Sequence, residues 1–252
     1  MLMPLPVMAA TDCQPWTDAH SAQQKPLFIA DINIIPANIF KLDDPEQDSK
    51  IHHLMNRLHS VTKPEVIRRK LLFKAGDSYD PARLAESERL LRAVRYIKDA
   101  EIYPQQVCGD RVTITVRTTD NWTLTPGVSF GRSGGNNRSG IEVEEQNLLG
   151  WGKSVSLAYK QDYERDSFQF HYGDDQLFNT RRQLDINLDS NSDGHRYRLG
   201  LASPFYAIDT PESWYISAED ASSEIGLYRQ GEVAETFKQD LQALDMSYAW
   251  NN

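Results

Sequence analysis

From residue 122 to residue 250, apolar and polar residues alternate in one hairpin-length segment after another, and nowhere do they give the roughly 18 consecutive apolar residues that a spanning helix needs. A period of two puts every second side chain on the same face of a strand. Val128 and Phe130, Ile141 and Val143, Leu157 and Tyr159, Phe168 and Phe170, Ile186 and Leu188, Leu199 and Leu201, and Trp214 and Ile216 share one parity. Ser154, Ser156, Lys160, Ser167, Gln169, His171, Asp185, Asn187 and Asp189 hold the other. A soluble sandwich must roof its apolar face with a second sheet, whereas a barrel in lipid turns that face outward and hydrates its lumen. Trp151, Tyr159, Tyr172, Trp214, Tyr215, Tyr248 and Trp250 fall near the ends of the alternating runs, where an interfacial girdle places amphipathic rings. The pattern reads as transmembrane barrel wall.

The chain has 252 residues, 25% charged and 40% hydrophobic, with a formal charge of -9, which excludes a helical membrane protein and argues against a nucleic-acid partner. A polar average does not oppose a barrel, because only alternate residues of each strand meet lipid. Residues 1–10 resemble the end of a secretory signal peptide, with Val7-Met8-Ala9 as a small-residue cleavage pattern but no basic stretch before it; the alternative is a disordered soluble N-terminus. Residues 11–26 are polar and aperiodic and are expected to be a flexible tether. Cys13 and Cys108 make an even count, which in an exported protein permits one disulfide; two free thiols are the alternative.

A strand is expected over 28–35 and a short polar helix over 51–58, with His52 and His53 solvated. Thr62-Lys63-Pro64-Glu65 has capping-box spacing with proline in the first turn, so a helix is expected over 63–73, stopped by Gly76. Asp80-Pro81 repeats the start signal, and Leu84, Leu91 and Val94 form the buried stripe of a second helix to about residue 97. Residues 100–106 and 111–118 make a hairpin, with Val112, Ile114 and Val116 alternating against Arg111, Thr113, Thr115 and Arg117.

This β-α-α-β-β order resembles a polypeptide-transport-associated (POTRA) domain. The likeness is carried by Val66-Ile67-Arg68-Arg69-Lys70-Leu71-Leu72-Phe73-Lys74-Ala75-Gly76-Asp77, by Ser87-Glu88-Arg89-Leu90-Leu91-Arg92, and by Ile97-Lys98-Asp99-Ala100-Glu101-Ile102. Asn147-Leu148-Leu149-Gly150-Trp151-Gly152-Lys153 resembles the first periplasmic turn of the Omp85 barrel, the BamA/TamA or surface-antigen D15 family. The resemblance implies a POTRA domain over 27–119 in the periplasm and, over 120–252, about eight antiparallel strands, the first half of a 16-stranded outer-membrane barrel. The family's Val-Arg-Gly-Phe/Tyr motif does not occur here. Outer turns are expected near 134–137, 163–166 and 189–194, and inner ones near 150–152, 174–180 and 203–211.

The function implied is outer-membrane protein assembly or translocation in a Gram-negative envelope. In the family a client adds as a strand to the edge formed by the second POTRA strand, here Ala100, Glu101, Ile102 and Tyr103, and the first barrel strand, with Thr125, Gly127, Ser129 and Gly131, is a weakly paired seam. Implied partners are outer-membrane lipid, unfolded client proteins and envelope accessory proteins, with no cofactor. A passive porin-like barrel with an anchoring domain is the alternative. Enzymatic readings are weaker. Gly127-Val128-Ser129-Phe130-Gly131 matches a hydrolase nucleophile elbow, but the elbow needs a strand-turn-helix and Ser129 is expected to lie in a strand. Asp189-Ser190-Asn191-Ser192-Asp193-Gly194 copies half a calcium loop without the bidentate glutamate and reads as a hairpin turn.

Overall fold

The computed structural model describes residues 13–17, 26–133, 136–230 and 232–251, so the signal-like segment 1–10, most of the expected tether and the core of the first outer turn lie outside the described residues. The remaining part of that tether differs from expectation. Cys13–Pro15 is an edge strand, β1, paired antiparallel with Gln106, Val107 and Cys108, and Cys13 and Cys108 are joined by a disulfide. Backbone pairing and the covalent tie together hold a segment whose composition alone reads as linker.

The first sheet has the order β1-β3-β4-β2, with β2 at Phe28–Ala37, β3 at Ile97–Cys108 and β4 at Arg111–Asp120. β3 and β4 form the expected hairpin across Gly109, whose φ of 66° suits a residue without Cβ, and β2 runs parallel to β4. Helices α1 (Lys50–Leu58), α2 (Pro64–Lys70) and α3 (Pro81–Arg92) lie between β2 and β3 in the chain. α2 and α3 cover one face. Ile29, Ile67, Leu91, Ile114 and Val116 are fully buried where they meet, as the alternating and helical stripes require.

Helix ends depart from the sequence reading for identifiable reasons. Asp80 caps α3 as expected, accepting from the Ala82 amide at 2.9 Å. Thr62 does not cap α2, because its hydroxyl is committed elsewhere, and Lys63 stands at the N-cap without a side-chain bond. α2 ends at Lys70 rather than near Gly76. Leu71, extended at the C-cap, and Phe73 turn into the core, and Ser87 Oγ takes the Leu72 amide at 2.9 Å. The disulfide closes a loop whose ends are 95 residues apart, for which chain entropy gives an upper figure of about 4.7 kcal/mol and disulfides typically deliver about 2–4 kcal/mol. Reductant is therefore expected to lower the denaturation midpoint of the first sheet; equal midpoints with and without reductant would remove that role.

The second sheet contains eight antiparallel strands in chain order: β5 (Leu124–Ser133), β6 (Asn136–Glu145), β7 (Lys153–Gln161), β8 (Asp166–Leu177), β9 (Arg182–Asn191), β10 (Gly194–Ser203), β11 (Glu212–Arg229) and β12 (Glu232–Trp250). It is an open sheet ended by β5 and β12. β11 and β12 are about twice the expected length, and they stay paired beyond Ser223, where β10 stops at Gly194. No helix among the described residues is long and apolar enough to cross a membrane.

Candidate functional site

The two faces of the eight-stranded sheet are chemically opposite. One is bare hydrocarbon: Val128, Phe130, Ile141, Leu244 and Met246 are 61 to 84% exposed. The other is polar. There Arg196 Nε donates to Glu219 Oε1 at 2.7 Å, Arg198 Nη2 to Tyr215 at 2.7 Å and Ser156 Oγ to Glu142 at 3.2 Å, and all of these but Tyr215 line a recess of about 500 Å³ with Glu144, His171 and Asn187. Such a sheet needs its apolar face covered, by lipid or by another protein layer, and its polar face wet. Gly127–Gly131 lies inside β5 and leads to another strand, so Ser129 has no helix behind it as an elbow requires. Asp189–Gly194 forms the β9–β10 hairpin, with Asp193 paired to Arg165 at 2.6 Å, and no metal-holding cluster occurs among the described residues.

Thr125, Gly127, Ser129 and Gly131 lie on β5 at the edge of this sheet, opposite Glu144, Glu142, Gly140 and Arg138 of β6. The other side of β5 has no partner strand among the described residues. Gly140 leaves room for Ser129, since a Cβ there would stand 2.9 Å from the serine oxygen.

Ala100, Glu101, Ile102 and Tyr103 lie on β3 where β1 does not reach, yet that edge is occupied by side chains. The Ala100 amide donates to Asp99 Oδ1 at 2.9 Å, the Ile102 amide to Glu88 Oε2 at 2.8 Å, and Pro104 has no N–H. Arg92 holds both carboxylates, at 3.0 Å from Asp99 and 2.8 Å from Glu88. Further along, Trp16 N donates to Gln105 O at 3.0 Å and β1 takes the rest. A strand entering at β3 has to displace these caps. The sequence signal was there in Glu88 and Arg92, four apart on one helix face, but the register that aims them at β3 is tertiary.

A third constellation, not expected from sequence, joins the two sheets. Asp120, at the end of β4 and wholly buried, accepts through Oδ2 from Thr62 N (2.7 Å), Thr62 Oγ1 (2.9 Å) and His59 Nε2 (2.9 Å). Asn147 Nδ2 donates to Thr62 Oγ1 at 2.8 Å while its Oδ1 accepts from Gly152 N at 2.7 Å, and Lys63 N donates to Gly150 O at 2.9 Å. The 147–152 turn is thereby clamped onto the first sheet. Its glycines are required by contact as well as conformation: φ is 75° at Gly150, where a Cβ would overlap the Val61 carbonyl, and 65° at Gly152, where it would stand 2.7 Å from the Tyr96 hydroxyl. Burial, and then the nearby carboxylates of Asp175, Asp120 and Asp174, push the Tyr96 phenol well above its ordinary value.

The second inner turn is fastened to α2. Gln176 Nε2 donates to Val66 O at 3.0 Å, Arg69 Nη1 to Gln176 Oε1 at 3.2 Å and Arg181 Nη2 to Leu71 O at 2.6 Å, while the Arg181 guanidinium lies 4.0 Å over the Tyr206 ring of the third turn. Burial lowers the Lys70 ammonium, with Asp175 opposing and Arg181 adding to the shift. The first two turns are thus fastened to the N-terminal unit and the third reaches α3 through Asp209, 3.8 Å from Arg83, so that this unit is the floor of the eight-stranded sheet.

No protein-family model matches the sequence, and no curated protein sequence is similar to it. Among solved structures, CdiB from Acinetobacter baumannii aligns over 90% of this chain and 39% of its own, at 15% identity and a TM-score of 0.36, too low to argue from. The crystal structure of BamA from Haemophilus ducreyi lacking POTRA domains 1-3 aligns over 96% of this chain, at 14% identity and a TM-score of 0.54. The chain covers 49% of that structure, so it spans about half the length of the crystallised chain it resembles. At this identity the likeness is one of architecture, and over nearly its whole length the chain shares the fold of that BamA structure.

Proposed function

We propose that this chain is part of a non-enzymatic Omp85-type protein of a Gram-negative outer membrane, acting in the assembly or translocation of other proteins. Residues 27–119, together with the disulfide-tied β1, are its POTRA domain on the periplasmic side, and residues 120–252 are the first half of its barrel. The observation that carries this reading is a sheet apolar on one face and polar on the other, standing on the N-terminal sheet in an architecture shared with the BamA structure over 96% of the chain. β5, the first strand of the barrel, is the seam at which a client strand would add, its main-chain bonds supplying affinity with little sequence demand. The floor of inner turns hands a client from the β3 edge toward this seam, and Arg92 keeps the β3 edge capped until a client strand displaces Glu88 and Asp99. Accessory envelope proteins would meet the periplasmic sheet. The charged recess with Arg196, Arg198 and Glu219 favours a second reading, a passive water-filled barrel with an anchoring domain.

Photocrosslinking in cells separates the two. A crosslinker at Ser129 of the full-length parent, recovered in urea-washed outer membranes, is expected to capture newly exported barrel proteins. A crosslinker at Tyr103 is expected to capture them more often when Arg92→Ala releases the caps. Adducts only within the parent chain would favour the passive barrel, and a parent found in the soluble periplasm would sink both readings.

A further inference from the structure

Helix α1 is mounted the wrong way round for a soluble protein. Ile51, Leu54 and Leu58 fall in a sector of about 60° at 3.6 residues per turn, and they are 68, 55 and 63% exposed. The side facing the protein carries half-buried His52 and Asn56, with Met55 half-buried beside them. Asn56 Nδ2 donates to Phe40 O at 2.8 Å and Asn56 Oδ1 accepts from Phe40 N at 3.2 Å, while the His52 ring stacks on Phe40 with centroids 4.0 Å apart and its Nδ1 lies 2.8 Å from Gln47 O. No residue of the helix is buried, so it contributes nothing to the core; a surface helix ordinarily turns such a stripe inward.

Its place in the fold says what covers the stripe. His59, the C-cap, is bound to Asp120, four residues before β5 begins at Leu124, a span of at most about 14 Å. The helix itself is about 13.5 Å long, and its C-terminal end, with Leu58 next to His59, is tied to the foot of the eight-stranded sheet. The chain from Leu58 continues directly into Lys63, whose ammonium sits 4.1 Å over the ring of Trp151, and Leu149 beside it is 66% exposed. An exposed leucine, a half-exposed tryptophan and a lysine at the foot of an apolar wall have the composition of a membrane interface. Lys50 and Arg57, both exposed, flank the stripe on its Leu54 side, placed to reach lipid phosphates while their stems lie along the acyl boundary.

We propose that α1 is an interfacial helix lying in the periplasmic surface of the bilayer, its Ile51, Leu54 and Leu58 edge inserted beside the barrel foot, so that the N-terminal sheet is held at a fixed tilt to the membrane. This rests on the membrane placement proposed above, and the test separates the two. Because the native cysteines are paired, Leu54→Cys, His53→Cys and Phe130→Cys each give one spin-labelling site in the full chain, reconstituted in vesicles of phosphatidylethanolamine and phosphatidylglycerol. Power saturation with oxygen and with a water-soluble nickel chelate should give a label at residue 54 an oxygen-to-nickel ratio like that at residue 130 and several-fold above that at residue 53. A residue-54 label as open to nickel as residue 53, with residue 130 still in lipid, overturns the helix assignment alone. A residue-54 label shielded from both reagents also overturns it, in favour of a protein contact. Nickel access at residue 130 overturns the membrane placement itself.

Discussion

Leu91→Asp is expected to abolish the cooperative melt of the N-terminal sheet, followed by circular dichroism on a fragment of residues 13–121 with its disulfide intact. Leu91 is 0% exposed between α3 and the sheet, with no cationic side chain in the core cluster around it. A carboxylate there costs several kcal/mol whether it stays charged or takes up a proton it cannot share, and the lost packing adds about 2–5 kcal/mol. Together these match the roughly 5–15 kcal/mol that holds a domain folded. Leu91→Met keeps volume and should melt close to the parent. A Leu91→Asp fragment that also melts like the parent would mean that α3 does not close this core.

The second large effect is expected from Asp120→Ala, and it should appear at the junction. One carboxylate oxygen serves three donors, so its removal strands a buried amide, a hydroxyl and an imidazole, at a cost of about 3–5 kcal/mol. The 147–152 turn should then detach from the first sheet. Hydrogen exchange at the Thr62 and Lys63 amides, bonded to Asp120 and to Gly150, is the direct readout. Unchanged protection would show that the Gln176 and Arg181 contacts hold the floor alone.

What was legible in the sequence is what has a short period. Alternation from residue 124 onward placed the strands and their two faces, and Asp80-Pro81 placed the start of α3, because each signal depends on residues within one turn or one strand. What was missed depends on partners far along the chain. Thr62 has the composition of a helix cap, but Asp120, 58 residues away, and Asn147, 85 residues away, claim its hydroxyl. Cys13 sits in a stretch that reads as linker, yet it is an edge strand through its pairing with residue 108. α1 was legible as a helix, but its His52 and Asn56 side points inward because Phe40 and Gln47 receive it, and composition does not show which side of a helix meets the protein. The β3 edge was read correctly as a strand. Its caps depend on the angle at which α3 crosses the sheet, which aims Glu88 and Arg92 at it.

Beyond Ser223 the last two strands leave the sheet as a ribbon, braced at its root by Glu224 N, which donates to Asp193 O at 3.1 Å, and higher up by Tyr228, whose hydroxyl donates to Glu164 Oε1 at 3.1 Å, the same oxygen that Tyr163 uses. Two isolated strands are marginal in water, so these contacts decide whether the ribbon stands or folds over the opening beneath it. The floor is clamped by a buried network, while the rim rests on one main-chain bond and one exposed carboxylate shared by two phenols. Stiffness therefore falls from floor to mouth, and a load applied at the mouth bends the rim long before it disturbs the floor.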